Sequence, residues 1–291
     1  MNIKKWIKLN TSSLKNKTIV VTGSYGGIFS EVAKILADLE ANFIFLNKDY
    51  DKTIAQIQEL KDINHHIHAE FIECDLSNVP QVKEVVKILK TKKIDILFLA
   101  AGVYNVPMFK TYTGFNNIFQ VNFFSHYYIT KELLPNIKSV NGKVIAVSSI
   151  AHNYSSIKKS DIDFSNKRKP SKIYGNSKRF LTYALQELRE RENFNLSIVH
   201  PGITLTEMTN HYHKSINWLV RITMKLFFPN PKKAGLSFIK GIFENTEYHE
   251  WIGPSILKVY GYPKKQKLTK CSQGESQAIF RIAEKIYNSK K

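Results

Sequence analysis

Tyr174 and Lys178 stand four residues apart in Tyr-Gly-Asn-Ser-Lys. If Leu181, Ala184, Leu185 and Leu188 mark a helix, the two lie one turn apart on one face. A free tyrosine hydroxyl has a pKa of about 10. A nearby ammonium stabilises the phenolate and lowers that value, which makes the hydroxyl a usable proton donor or acceptor near neutral pH. The pair alone recurs by chance, and its company gives it weight. Ser148 and Ser149 close the apolar run Lys143 to Ser148, Asn122 lies in the apolar helical stretch Phe119 to Leu134, and His200-Pro201-Gly202 closes the run Leu196 to His200.

A second constellation could hold an anion. The β-branched run Thr18 to Thr22 ends in Gly23-Ser24-Tyr25-Gly26-Gly27-Ile28. Glycines let a backbone approach a pyrophosphate, and the following helix start offers free N–H groups and a positive dipole end. The spacing is not G-x-G-x-x-G. The next apolar run ends in Asn47-Lys48-Asp49. A carboxylate at the first of these positions would bind ribose hydroxyls and repel a 2′-phosphate. Neutral Asn47 followed by cationic Lys48 favours the phosphorylated dinucleotide, against the alternative of one more solvated lysine.

The elements that must position these groups alternate. Strand-like runs cover 18–22, 42–46, 68–74, 94–101, 143–148, 196–200 and 250–252; helix-like stretches separate most of them, beginning with Phe29, Val32, Ala33, Leu36 and Leu39 at helical spacing. This order predicts βαβ units: one doubly wound, Rossmann-type α/β domain over residues 1–291 with a central parallel sheet of about seven strands. Ligands of such sheets bind beyond the carboxyl ends of the strands, so all the groups named above would face one crevice.

With these motifs in this order, the chain resembles the short-chain dehydrogenase/reductase family over nearly its whole length, and most of all its retinol-dehydrogenase-like branch. The resemblance implies an NAD(P)-dependent oxidoreductase acting on a hydroxyl or carbonyl group. Thr22, Gly23, Ser24, Tyr25, Gly27 and Ile28 match the cofactor turn, and Asn47-Lys48-Asp49 resembles the Cys-Arg-Asp element of NADP(H)-using members. Asp75-Leu76 matches the pair at the adenine. Ala101-Gly102 lies in the segment corresponding to Asn-Asn-Ala-Gly. Pro201-Gly202-Ile203 with Thr206 matches the segment that holds the nicotinamide carboxamide. The catalytic tetrad implied is Asn122, Ser149, Tyr174 and Lys178, with Ser148 a neighbour. NADP(H) is expected over NAD(H). Two departures stand out: Phe29 replaces the family's third glycine and is expected to crowd the helix start or cofactor, and Leu99 replaces an asparagine that braces the sheet. They motivate the alternative of an NADP(H)-binding sensor or scaffold with little turnover; the complete tetrad favours the enzyme.

The rest of the chain excludes more than it adds. Two cysteines, Cys74 and Cys271, make no disulfide framework and no zinc pattern, which suits a reducing, cytoplasmic setting. No apolar run is long enough to span a bilayer and no secretory leader is expected. His65, His66 and His68, like His211 and His213, read as solvated, so no metal is expected. The formal net charge is +19. Without a recognition motif it does not point to nucleic acid, and Lys264, Lys265, Lys267 and Lys270 read as a basic C-terminal tail. A substrate-covering segment is expected around 204–232. Within it, residues 214–228 project as an amphipathic helix with Lys214, Arg221 and Lys225 opposite an apolar face, suited to a lid or to peripheral contact with an anionic membrane. The expected partner is a small carbonyl or alcohol substrate of lipophilic character, and a homo-oligomer is left open.

Overall fold

The computed structural model describes residues 2–155, 157–158, 160–167, 169–202 and 230–290. Among these, eight strands form one sheet in the order β3-β2-β1-β4-β5-β6-β7-β8. They are β1 (Thr18–Thr22), β2 (Asn42–Asn47), β3 (Ala69–Glu73), β4 (Ile96–Leu99), β5 (Lys143–Val147), β6 (Asn195–Val199), β7 (Glu250–Ile256) and β8 (Tyr260–Lys267). The first seven are parallel and β8 runs antiparallel to β7. The central strands are apolar runs buried on both faces, as a helix-covered parallel sheet requires.

One apolar layer lies between the sheet and α1 (Ile3–Asn10), α2 (Phe29–Asp38), α3 (Tyr50–Ile63) and a pair of helices late in the chain, α8 (Pro231–Ala234) and α9 (Leu236–Phe243). The opposite layer is closed by α4 (Val79–Leu89), α6 (Ser125–Ser139), α7 (Pro170–Glu192) and α10 (Gln273–Lys290). The short α5 (Asn117–Phe119) runs into α6 through a π-helical turn, Gln120–Phe124. Proline at its first turn opens α7, and left-handed Asn193 closes it, its N–H donating to Arg189 O.

The strand register matters most for function. Thr22 pairs with Leu46 and with Leu99, Leu99 with Ala146, and Val147 with Val199. The turns that follow these strands therefore open on one edge of the sheet.

Three elements differ from the sequence expectation. The sheet has an eighth strand, and Lys264, Lys265 and Lys267 belong to it rather than to a tail. Residues 273–290 are a helix packed on α7, held by buried Arg179 through a two-pronged pair with Glu275 (Nε–Oε1 3.0 Å, Nη2–Oε2 2.6 Å) and a bond to Lys270 O. The N-terminus forms α1, which buries Trp6 against Tyr262 of β8 at a centroid separation of 6.2 Å. The segment 203–229, with the expected lid helix, His211, His213, Ile203 and Thr206, lies outside the described residues.

Candidate active site

The turn after β1 is held from three sides. Gly23 has φ +68°, and a Cβ there would stand 2.7 Å from Ala101 Cα, so only glycine lets the turn meet the loop after β4. Thr22 Oγ1 accepts from Ala101 N at 3.1 Å and bonds His126 Nε2 at 2.9 Å. Asn47 Oδ1 accepts from Ser24 N at 3.0 Å, while its Nδ2 donates to Ser24 Oγ at 2.8 Å and Thr53 Oγ1 at 3.0 Å. Gln56 Nε2 completes the clamp on Ser24 O at 3.0 Å. Asn47 was expected to face the cofactor ribose. Its amide is instead buried and committed on both ends to positioning the turn, and Lys48 beside it is exposed.

The helix start beyond this turn is left open. Asn2, Asp49 and Asn78 cap α1, α3 and α4 with their side chains, but Ile28 at the start of α2 supplies no side-chain cap. A Cβ on Gly27 would meet nothing within 4 Å. An uncapped helix N-terminus behind a glycine turn fits the pyrophosphate of a dinucleotide. Phe29 does not crowd this space. Its ring is buried on the core side, edge-on to Phe98 at 4.9 Å.

Asn122, Ser149, Tyr174 and Lys178 converge across the sheet edge. Asn122 lies in the π-turn, a backbone irregularity often found at functional sites. Its Oδ1 accepts from Val103 N at 2.8 Å and its Nδ2 donates to Val103 O at 3.0 Å, pinning the loop that carries Gly102. A Cβ on Gly102 would lie 3.5 Å from Lys178 Nζ and 3.6 Å from Asn122 Oδ1, so this glycine keeps the approach to the amine clear. Lys178 is buried; its Nζ donates to Val147 O at 2.8 Å and lies 5.9 Å from the centre of the Tyr174 ring. Burial pushes this amine down to about 8.

Tyr174 is half-buried, with Tyr104 edge-on at 5.2 Å. Burial raises its pKa, and the hydrogen bond with Ser149 opposes the rise. The expected net lowering by Lys178 is not seen: desolvation of the phenol is the largest effect and outweighs the opposing hydrogen bond. Ser149 is the serine that faces Tyr174, while Ser148 is buried against Thr182 Oγ1 at 2.7 Å.

The remaining expected residues divide. Pro201 and Gly202 are partly exposed beside the site edge, with Gly202 at φ +88°. Asp75 Oδ1 accepts from Ser77 N and Ser77 Oγ, both at 2.8 Å, and the Leu76 side chain belongs to the core. Tyr25 lies under Lys52 Nζ at 5.5 Å. His65, His66 and His68 are exposed. The sequence reading missed His126 and His152. His126 bridges Thr22 to Asn122 O, and His152 follows Ser149 and is bonded through Nδ1 to Ser149 O. Burial pushes His126 down to about 3 and His152 to about 4, so both are neutral. Nothing in their sequence spacing marks them; only the fold brings them to the site.

A doubly wound sheet, an uncapped helix start behind a glycine turn and a Tyr–Lys pair at the sheet edge define a dinucleotide-dependent oxidoreductase. The short chain dehydrogenase family profile matches residues 17–217. Human polyprenol dehydrogenase is 30% identical over 277 residues, spanning 87% of this chain and 83% of that protein. Human retinol dehydrogenase 13 is 30% identical over 209 residues, 69% of this chain and 62% of that protein, so the chain matches less than two thirds of it. Among solved structures, an uncharacterised protein from Mycobacterium paratuberculosis superimposes with a TM-score of 0.75 at 21% identity, covering 96% of each chain. A short-chain dehydrogenase from Sphingobium yanoikuyae in complex with NADPH gives 0.59 at 19% identity, over 77% of this chain and 83% of that one. The chain belongs to the short-chain dehydrogenase/reductase family, in its retinol-dehydrogenase-like branch, and is an NAD(P)-dependent oxidoreductase of alcohol or carbonyl groups. No helix of the described residues is long and apolar enough to cross a membrane.

Proposed function

We propose that the protein interconverts a lipophilic alcohol and its carbonyl compound with NADP(H) in preference to NAD(H). The observation that carries this reading is the convergence of buried Lys178, π-turn Asn122, Ser149 and Tyr174 at the carboxyl edge of the sheet, opposite the uncapped start of α2. The nicotinamide, when bound, supplies or accepts the hydride. Tyr174 gives the proton to, or takes it from, the substrate oxygen. Ser149 orients and polarises that oxygen by hydrogen bond. Lys178 holds the nicotinamide ribose and lowers the tyrosine pKa as the site fills, and Asn122 holds a water in the proton relay. Thr22 to Ile28, Asp75, Leu76, Ala101, Gly102 and the Pro201-Gly202-Ile203 segment with Thr206 cradle the cofactor, Leu76 and Ala101 through their backbone.

Lys48 supports the NADP(H) preference: it is exposed immediately after β2, where the 2′-phosphate of a dinucleotide would lie. Polyprenol and retinol, for which relatives are named, are lipophilic alcohols. Tyr104, edge-on to Tyr174 at 5.2 Å, gives the site an aromatic wall. The reading includes one domain over 1–291, a substrate cover around 204–232 and a cytoplasmic or membrane-peripheral setting. The sensor reading loses its motive at Phe29, which packs in the core.

A screen of aldehydes, ketones and alcohols with both cofactors tests the activity. On a substrate so found, Tyr174→Phe is expected to remove most turnover with NADPH binding near normal; full activity in that variant would refute Tyr174 as proton donor.

A further inference from the structure

We propose that the β7–β8 hairpin is a docking device for an anionic lipid surface. Its tip is apolar and exposed: Ile256 is 54%, Leu257 88% and Tyr260 43% accessible. Val259 N donates to Ile256 O at 3.0 Å, and the two residues between, Leu257 and Lys258, have φ of +49° and +61°. This is the tight turn that Asn-Gly satisfies best, because both central residues must be left-handed. Leucine is disfavoured there by its Cβ and contributes nothing to the core. The fold would be better served by other residues at the tip, so the tip is fitted to something outside it.

The surroundings say what. No Asp or Glu lies between Pro254 and Gly274, while Lys258, Lys264, Lys265, Lys267 and Lys270 do. Among the described residues Lys265 pairs with Glu244 at 3.9 Å, Lys267 stands across from Glu250 at the far end of the hairpin, and Lys258 Nζ lies 5.6 Å from the centre of the buried Trp251 ring. Lys233 of α8 sits over the Tyr260 ring at 4.0 Å, adding another cation beside the apolar tip. Aliphatic side chains at a protruding tip, a tyrosine behind them under Lys233, and lysines further back along β8 match the order of depths at a bilayer interface. A convex tip offers no groove for a peptide, whereas lipid deforms around it.

The hairpin also sets the orientation. β7 is parallel to β6, so its carboxyl end opens on the site edge. A Cβ on Gly202 would stand 2.5 Å from Val259 O. Docking through this tip turns the site entrance toward the lipid, a consequence that rests on the proposed lipophilic substrate, whereas the docking does not.

The test is co-sedimentation of the full chain with phosphatidylcholine vesicles, with and without phosphatidylserine, at low and high salt. The wild-type chain is expected to bind phosphatidylserine vesicles, more weakly as salt rises. Leu257→Asn/Lys258→Gly should lower the partition coefficient by at least roughly tenfold while its melting temperature holds or rises. Ile256→Ser/Leu257→Asn, which keeps every charge, should lose binding similarly. Equal binding by wild type and variants overturns the proposal, as does no wild-type binding to phosphatidylserine vesicles. A dimer in solution that the tip variants dissolve, with no vesicle binding, assigns the tip to a second copy and also overturns it. Turnover of a water-soluble carbonyl compound, unchanged in these variants, is a separate readout. Its absence from the wild type would count against the catalytic reading and leave the vesicle result standing.

Discussion

Lowering the pH from 7 to 5 should destabilise this protein strongly, because three buried histidines surround the site. Burial pushes His126 and His200 down to about 3 and His152 to about 4, and repulsion from Lys178, His152 and Arg179 respectively adds to it. An unfolded histidine titrates at about 6.5. Between the two values the unfolded chain binds protons that the folded chain refuses, so stability falls as the pH falls. At pH 5 each histidine favours unfolding by about 2 kcal/mol relative to pH 7, and the three by about 6 kcal/mol, against a typical total of about 5–15 kcal/mol. That sum depends on the unfolded pKa alone, provided the folded values lie well below 5.

His249, lowered by burial against the opposing pull of Glu187, acts in the same direction in this window; the shifted lysines and Asp95 do not disturb it. Lys178 and Lys143, both lowered to about 8 by burial, are charged in both states from pH 7 to 5 and contribute a constant. Asp95, held low by the Thr18 N–H and by Lys17 and Lys93 against the opposing effect of burial, loses its contribution only when the pH falls below the ordinary aspartate range. Urea unfolding followed by tryptophan fluorescence at pH 7, 6 and 5 measures the slope, with buried Trp6 and Trp251 as reporters. It should approach about 4 kcal/mol per pH unit near pH 5. His200→Phe keeps the stack on Trp251 at 4.7 Å and should remove about 2 kcal/mol of the fall. Stability at pH 5 within about 1 kcal/mol of that at pH 7 would refute the assignment of all three as buried and neutral.

Three further outcomes are expected. Phe29→Ala should cost about 3–5 kcal/mol of stability in chemical denaturation, since it opens a cavity against Phe98, while the dissociation constant of NADPH changes little. Arg179→Ala strips Glu275 of its partner and should cost about 3 kcal/mol, the low end for a buried pair because Glu275 is partly exposed; hydrogen exchange should rise across residues 273–290. Lys48→Ala should weaken NADPH binding by roughly tenfold and leave NADH unchanged in fluorescence titrations, the loss of one charge-assisted phosphate contact.

The sheet was legible in the sequence because its central strands are buried on both faces and therefore read as continuous apolar runs. The Tyr174–Lys178 face was legible because helical spacing is local. Other features were not local. Tyr260–Lys267 carries a glycine, a proline and three lysines, which hide a strand in sequence but suit an edge, where the outer backbone needs no partner and charge discourages further pairing. Asn47 read as a cofactor contact from its place after an apolar run. That Ser24, Thr53 and Gln56 close around the same point is a matter of tertiary approach, which no spacing reveals. The same holds for His126, whose partner Thr22 is 104 residues away.

The two departures from the family pattern resolve into packing. A glycine is required in the β1–α2 turn where the backbone meets another chain segment or the open space, and Gly23 and Gly27 keep those places. Residue 29 begins α2 on its inner side, where bulk is welcome if the neighbours make room. Phe98 and Phe238 line that side, and Gly235 lets the backbone close on Val32, where even a Cβ would stand 2.6 Å from Val32 Cγ2. Leu99 likewise joins the core, and the polar brace between the sheet and α6 passes through Thr22 and His126. Thr22 Oγ1 also receives the Ala101 N–H, so one hydroxyl ties β1, the loop after β4 and α6 together. Because His126 must stay neutral, this brace is exposed to acid, and loss of the cofactor turn's order should accompany the earliest step of acid unfolding.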